Sequence, residues 1–132
     1  MKLIHVRIVT PKGCYKEFDT PILNVKTVDG ERGILPNHMP IVTMLDIGKM
    51  VTEELNERNT YAVAGGLLYF RDNLAEILTD AIENQRDIDE GRAEAAKERA
   101  LKRIEKNDEG IDLKRAEIAL KKAVNRLNIK GN

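Results

Sequence analysis

The stretch IDEGRAEAAKERA, residues 88–100, decides how the chain divides, because the spacing of apolar residues changes there to that of a helix. A related stretch, IDLKRAEIALKKA, occupies residues 111–123. Apolar side chains follow at steps of three or four residues in both stretches. These seam positions are Ala93, Ala96, Ala100 and Ile104, then Leu113, Ala116, Leu120, Ala123 and Leu127. One apolar stripe on each of two consecutive helices predicts an antiparallel hairpin.

The composition of the seam predicts a weakly held hairpin that can open. Alanines dominate it, and a small side chain removes little apolar surface from water, at about 25 cal/mol per Å². The residues NDEG at 107–110 lie between the helices and predict a short turn. Gly110 suits the left-handed position that follows a helix.

The repeated I-D-x-x-R-A-E pattern falls where each helix begins. Asp112 suits the cap of the second helix, and either Asp87 or Asp89 suits the cap of the first. Asp87 with Glu90 resembles a capping box. Capping does not explain Arg92, since a cation in the first turn opposes the helix dipole. Arg92, Arg99 and Arg103 share one stripe beside the seam, where they either bind an anion or cover the seam with their stems.

The first 84 residues show the pattern of strands and turns. All four prolines and six of the nine glycines precede residue 67. Apolar Ile4, Val6 and Ile8 alternate with residues 5, 7 and 9, so one face of this segment is apolar, which indicates a strand. Further strand candidates are residues 22–28, 41–45, 61–63 and 74–78, separated by predicted turns at 10–13, 29–30, 46–48 and 71–73. We therefore predict an all-β sandwich or barrel over residues 1–84 and a helical hairpin over residues 85–132.

Charge is distributed unevenly along a chain whose net charge is zero. Residues 1–84 carry 9 basic and 12 acidic side chains, whereas residues 85–132 carry 13 and 10. From residue 113 onward there are six basic side chains and one acidic, Glu117. This basic end indicates either an acidic partner surface or an ordinary solvated helix face.

Several function classes lack support in the sequence. No phosphate loop, nucleophile elbow or paired-cysteine motif is present, and His38 is the only histidine in a turn-rich stretch, so no catalytic site is predicted. His5, His38 and Cys14 are too few for structural zinc, and aromatics at 4% are too sparse to stack on nucleic acid. No secretion signal or membrane span is predicted, and the lone cysteine fits a reducing compartment.

Four segments in order resemble the ε subunit of bacterial F-type ATP synthase. They are DGERGILPNHMP at 29–40, AVAGGLLYF at 62–70, DIDEGRAEAAKERALKRI at 87–104 and DLKRAEIALKKAVNRL at 112–127. The resemblance implies a sandwich of about ten strands followed by two helices. It also implies a non-catalytic subunit of the central stalk that binds γ and rests on the ring of c subunits. Such a protein is peripheral, at the cytoplasmic face of the bacterial cell membrane, and reaches the membrane only through the complex.

The resemblance further implies regulation by the helices, which extend beside γ into the α/β hexamer and inhibit ATP hydrolysis. The compact hairpin is then the permissive form. Glu31 and His38 match the family loop that faces the c ring. The basic second helix matches the part that meets acidic β-subunit loops, and its candidate residues are Lys114, Arg115, Lys121, Lys122 and Arg126.

Some family members bind ATP on the folded hairpin, which implies a regulatory ligand rather than a substrate. The matching positions are Glu83, Ile88, Asp89, Arg92, Ala93, Arg99, Lys122 and Arg126. Lys122 stands where related chains have arginine, and lysine lacks the planar fork that grips phosphate. Whether Mg²⁺ accompanies the nucleotide stays open. We expect the first repeat to cap a helix and bind ATP, and the second only to cap a helix.

Three other classes of protein are alternatives to this one. A freestanding β-sandwich and coiled-coil adaptor explains the two halves, but not the ordered motifs. A nucleic-acid-binding protein would use the basic helix, and the acidic first half opposes it. A small hydrolase lacks every motif it needs.

Overall fold

The computed structural model describes residues 2–106 and 112–131. The chain divides into two compact units, Met1–Asn84 and Gln85–Asn132. The predicted turn at 107–110, including Gly110, and the first residue of the second repeat, Ile111, lie outside the described residues.

The first unit is a β-sandwich built from eight strands. They are β1 (Ile4–Thr10), β2 (Gly13–Thr20), β3 (Leu23–Thr27), β4 (Gly30–Ile34), β5 (Ile41–Glu54), β6 (Glu57–Arg71), β7 (Leu74–Leu78) and β8 (Ile82–Asn84). Their order is β2-β1-β7-β6-β5-β3-β4, and β8 pairs with β6. The β1–β7 pair is parallel, and the other pairs are antiparallel. The sandwich is confirmed, with eight described strands instead of about ten.

The long strands β5 and β6 explain the lower count. Residues 61–63 of β6 pair with β8, whereas residues 67–71 pair with β7. Gly65 and Gly66 lie between these halves with φ of 83° and 135°. A Cβ on Gly66 would overlap the carbonyl oxygen of Leu78. The glycine pair therefore lets one continuous strand change partners where two shorter strands would otherwise be needed.

The predicted turn at residues 46–48 is wrong, because these residues lie inside β5. A Cβ on Gly48 would lie 2.6 Å from Cδ of Lys26, so this glycine leaves room for a side chain of the neighbouring strand. Asp46 forms an ion pair with Lys26 at 3.8 Å. Glycine and aspartate here mark a close approach of the paired strand β3 and its Lys26 side chain, not a break in β5.

The core of the first unit lies between the inward faces of its strands. Ile4, Val6 and Ile8 are fully buried, while His5 and Arg7 between them are exposed, as the alternation predicts. The remaining core is mostly aliphatic, with Tyr61 and Phe70 as its largest members.

The second unit consists of a 3₁₀ turn (Gln85–Asp87) and two helices, α1 (Glu90–Lys106) and α2 (Leu113–Lys130). The helices are antiparallel, since Gln85 Nε2 donates to the Ile129 carbonyl at 2.6 Å and Lys130 Nζ donates to the Gln85 carbonyl at 3.2 Å. Four seam alanines, at positions 93, 100, 116 and 123, are buried. Leu113 is 41% exposed, so its assignment to the seam is wrong; it is the first residue of α2, at the end of the packed region.

Candidate functional site

Both repeats begin a helix by the same geometry. Asp89 Oδ1 accepts the Arg92 backbone N–H at 3.0 Å, and Asp112 Oδ1 accepts that of Arg115 at 3.1 Å. The aspartate side chain thus satisfies an N–H group that has no partner within the helix. Of the two predicted caps for α1, the structure selects Asp89, since Asp87 lies in the preceding 3₁₀ turn. The capping box of Asp87 and Glu90 is therefore not formed.

The residues that match the family's ATP site take different positions on the second unit. Ile88 and Ala93 are buried, whereas Asp89, Arg92 and Arg99 are exposed. Arg92 and Arg99 are seven residues apart, so they lie on one face of α1 about two turns apart. The two guanidinium groups are thus available on a face next to the buried Ala93 and Ala100.

The five basic residues of α2 that match the family's inhibitory helix separate into two groups by exposure. Lys114, Arg115 and Lys121 are exposed, whereas Lys122 and Arg126 are half-buried. Lys122 directly precedes the buried seam residue Ala123. The two residues that match the ATP set therefore lie nearer the helix seam than the other three. Glu83, the remaining match, belongs to β8 of the first unit.

The two residues that match the family's ring-facing loop lie close together in sequence and differ in packing. Glu31 is exposed on β4. His38 is half-buried in the connection from β4 to β5, where its ring meets Phe70 edge-to-face at 5.8 Å between centroids. His38 Nδ1 lies 2.7 Å from the Met39 carbonyl, and since a carbonyl only accepts, Nδ1 carries the proton. His38 therefore helps to hold its own loop together.

An exposed apolar surface on β5, β6 and β7 was missed by the sequence reasoning. Val42 pairs with Tyr69, Met44 pairs with Leu67, and Leu67 pairs with Leu78. Directly opposed residues project from the same face of a sheet, so these five side chains form one surface, here called the outer apolar patch. Val42 is 64% exposed and Met44 is 59% exposed. The signal in the sequence was LLYF at 67–70, since a strand that is apolar on both faces needs cover on both.

A second missed feature is a largely buried polar cluster that connects β2, β5 and β6. The Glu54 carboxylate lies 2.6 Å from Lys16 Nζ, and its Oε2 accepts from the Tyr61 hydroxyl at 2.7 Å and the Thr52 hydroxyl at 2.5 Å. Lys16 Nζ also donates to the Tyr61 hydroxyl at 2.9 Å. Lys16 lies 45 residues from Tyr61 in the sequence, so no local pattern could predict that it meets Glu54 and Tyr61.

The pKa values of this cluster follow from burial and hydrogen bonding together. Burial alone would raise the pKa of Glu54, but hydrogen bonds from Lys16, Thr52 and Tyr61 and the charge of Lys16 lower it overall. Burial raises the pKa of Tyr61 to about 12. Burial opposes the charge on Lys16, yet its bonds to Glu54 and Tyr61 raise its pKa. At neutral pH the cluster is therefore a charged pair with a neutral phenol, suited to holding strands together.

The part of the chain that the structure describes contains no group of three His, Cys, Asp or Glu side chains arranged to hold a metal ion. Within the same residues, no helix has both the length and the hydropathy needed to cross a membrane. The one cysteine, Cys14, is a free thiol on the surface.

The fold and these surfaces define a two-unit protein: a β-sandwich with an exposed apolar face, followed by a capped hairpin with an alanine seam. The family model for the ATP synthase delta/epsilon chain β-sandwich domain matches residues 3–85. The model for the long α-helix domain of the same chain matches residues 86–131. The chain therefore belongs to the delta/epsilon chain family of ATP synthases.

Similar curated proteins extend over nearly the whole chain. The ATP synthase epsilon chain of Halalkalibacterium halodurans is 44% identical and covers 99% of both chains. That of Bacillus velezensis is 42% identical over the full length of both chains. That of Lacticaseibacillus casei is 43% identical, over 97% of this chain and 94% of its own. The resemblance to bacterial epsilon subunits is confirmed.

Solved structures share the fold at lower identity. A chain in the mitochondrial ATP synthase OSCP/F1/c-ring structure of Euglena gracilis matches with a TM-score of 0.77 and 24% identity, over 90% of this chain and 76% of that one. A chain in the central stalk and c-ring structure of Tetrahymena thermophila mitochondrial ATP synthase matches with a TM-score of 0.58 and 17% identity, over 96% and 92% of the two chains. These two matches concern the fold alone.

Proposed function

We propose that the chain is a non-catalytic subunit of the central stalk of a bacterial F-type ATP synthase, where it binds γ and rests on the c-subunit ring. The epsilon chains of three bacteria support this by their similarity over nearly the whole length. In this role the protein is peripheral, at the cytoplasmic face of the cell membrane, and meets the membrane only through the complex.

The outer apolar patch is the observation that best supports the proposed contact with γ. Val42, Met44, Leu67, Tyr69 and Leu78 form one continuous surface across three strands. Burying such a surface is favourable, and a contiguous exposed apolar patch marks an interaction site. The strands beneath it are the central strands of the sandwich, so the surface is rigid before γ arrives.

Co-purification of the chain with γ tests this contact. Val42→Asp places a charge in the patch and is expected to weaken binding by at least about tenfold, or roughly 1.4 kcal/mol. Leu55→Asp is the matched control, because Leu55 is 97% exposed in the turn between β5 and β6, away from the patch residues in the register. Equal binding by both variants would show that γ does not use this surface.

The contact with the c ring is assigned to Glu31 and to the loop that contains His38. Glu31 is exposed at the edge strand β4, which pairs with β3 on one side. The loop that follows presents Leu35 and Met39 to solvent. Both features are on the segment that matches the family's ring-facing loop.

Inhibition of ATP hydrolysis is assigned to the helices of the second unit, which would extend toward the α and β subunits. The small residues of the seam support this, because alanine contacts bury little apolar surface and so hold the two helices together weakly. Exposed Lys114, Arg115 and Lys121 provide positive charge for acidic β-subunit loops, with Lys122 and Arg126 joining them once the hairpin opens.

ATP is assigned as a regulatory ligand of the folded hairpin, bound at the first repeat. Exposed Arg92 and Arg99 supply charge for phosphates, and exposed Asp89 supplies a hydrogen-bond acceptor. A ligand that binds the folded form more tightly shifts the population toward it, away from the inhibitory form. ATP is bound here without being hydrolysed. Titration with and without Mg²⁺ decides whether the ion takes part in binding.

The alternative function is a freestanding adaptor whose patch binds another protein. It would use the same apolar surface and the same hairpin. Failure of the chain to bind γ, with the patch intact, would favour this alternative.

A further inference from the structure

The connection between β4 and β5, residues 35–40, is fastened to the turn between β6 and β7 by two asparagines. The Asn37 backbone N–H donates to Asn73 Oδ1 at 2.6 Å, and Asn73 Nδ2 donates to Asn37 Oδ1 at 3.2 Å. Lys2 Nζ donates to the same Asn37 oxygen at 3.2 Å. We call the pair Asn37 and Asn73 the asparagine clasp.

Both members of the clasp have a left-handed backbone, with φ of 69° at Asn37 and 61° at Asn73. Asparagine tolerates this conformation better than most residues, since its short polar side chain makes local hydrogen bonds. At these two positions the side chains instead bond across 36 residues of sequence. The residue type therefore serves the turn and the clasp at once.

Asn73 is itself firmly held. Its carbonyl oxygen accepts the His5 backbone N–H at 2.9 Å, which attaches the turn to β1. The turn joins β6 to β7 in the middle of the sheet, where Phe70 and Ala75 are buried. Asn73 thus connects the loop to a rigid part of the sandwich.

Two further contacts hold the loop in shape. The His38 backbone N–H donates to the Leu35 carbonyl at 3.1 Å, and the His38 ring packs on Phe70. Two apolar side chains of the loop are exposed, Leu35 to 56% and Met39 to 73%. The loop is shaped to present two apolar side chains that it does not use for its own packing.

We propose that Asn73 is a positioning residue, which presents Leu35 and Met39 in a fixed arrangement to the loop surface of the c ring. This inference rests on the proposed contact with the ring. Ordering a free loop on contact would cost backbone conformational entropy. Because the clasp orders the loop during folding, no further ordering entropy is lost when the loop contacts the ring.

The first test measures amide hydrogen exchange at Asn37 and His38 in the full chain. Asn73→Gly keeps the positive φ of the turn and removes only the side chain of the clasp. Loss of its bonds is expected to speed exchange at Asn37 about tenfold. Asp72→Gly is the matched control, because Asp72 is in the same turn with φ of 51° and its side chain bonds Arg71. Unchanged exchange in Asn73→Gly would overturn the inference.

The second test measures ATP-driven proton pumping per ATP hydrolysed by complete ATP synthase in membrane vesicles. With Asn73→Gly we expect this ratio to fall at least about twofold, with the thermal midpoint of the chain matching that of Asp72→Gly. Asn73→Asp keeps the acceptor for the Asn37 N–H and is expected to restore most of the ratio. A mainly structural role would instead lower the thermal midpoint and leave the ratio unchanged.

Met39→Asp separates failure of this inference from failure of the ring contact. If Met39→Asp lowers the ratio and Asn73→Gly does not, the loop meets the ring without needing the clasp, and the inference is wrong. If Met39→Asp has no effect, the proposed ring contact through this loop is wrong, and the inference fails with it.

Discussion

At the scale of single residues, Glu54 is a carboxylate in a place where burial opposes its charge. It is stable there because Lys16, Tyr61 and Thr52 all donate to it. Its pKa is lower than the ordinary value of 4.5, so these donors more than offset burial. The cluster joins the edge strand β2 to β5 and β6 and so fastens two distant parts of the sandwich.

Replacing this carboxylate tests the importance of the cluster. Glu54→Gln leaves Lys16 without a charged partner, and because the Lys16 side chain is 36% exposed, the cost is smaller than for a fully buried pair. We expect a loss of about 1–3 kcal/mol in the free energy of unfolding at pH 7, measured by urea denaturation. Glu53→Gln, at the exposed neighbouring position, is expected to change stability by less than about 0.5 kcal/mol.

The pH dependence of this difference gives an independent check. A lowered folded-state pKa means that the carboxylate stabilises the fold above its unfolded pKa of about 4.5. The contribution is lost as the pH falls through the folded pKa. The difference between wild type and Glu54→Gln should therefore be greatest near neutrality and shrink in acid. A difference that grows below pH 4 would contradict the account.

At the scale of elements, β6 depends on a glycine pair to change partners. Gly66→Ala introduces a methyl group that overlaps the Leu78 carbonyl, in addition to the strain of φ at 135°. Gly30→Ala has comparable strain, with φ of 118°, but its added methyl group meets nothing within 4 Å. We expect Gly30→Ala to cost about 1–3 kcal/mol and Gly66→Ala at least about 2 kcal/mol more, by urea denaturation. Equal losses would mean that steric space at Gly66 is not limiting.

The two helix starts provide a matched test of the ATP site. Arg92 and Arg115 follow their capping aspartates at the same distance, and only their backbone N–H groups serve the caps. Replacing either side chain by alanine therefore leaves both caps intact. Calorimetric titration should show ATP affinity reduced about tenfold or more in Arg92→Ala and unchanged in Arg115→Ala. Similar losses in both variants would contradict a site at the first repeat.

The sequence predicted these elements unevenly, for physical reasons. Helical periodicity located the seam, and Asp112 located the start of the second helix, because both signals are local. For the first helix the sequence left Asp87 and Asp89 as alternatives, and the structure selects Asp89. The predicted turn at 46–48 was wrong, because Gly48 leaves room for the Lys26 side chain of another strand. Contacts between strands that are distant in sequence leave no local signal. The change of partner at Gly65 and Gly66 was hidden for the same reason.

At the scale of the whole molecule, the boundary between the two units falls where prolines and glycines give way to helical spacing. Residues of the candidate ATP site were named from resemblance, and the structure adds which of them are exposed. The outer apolar patch could be recognised only from the sheet register, which brings residues 42, 69 and 78 onto one face. The asparagine clasp could be recognised only from the folded chain, since Asn37 and Asn73 are 36 residues apart.

The proposed rotor subunit couples ATP hydrolysis to proton pumping through its first unit and inhibits hydrolysis through its second. The most direct test adds the chain back to ATP synthase vesicles depleted of the epsilon subunit and measures proton pumping and ATP hydrolysis together. The full chain is expected to restore pumping and lower hydrolysis. Lys114→Glu with Arg115→Glu should restore pumping without lowering hydrolysis, and Val42→Asp should do neither. If the folded full chain changes neither rate, the account is contradicted.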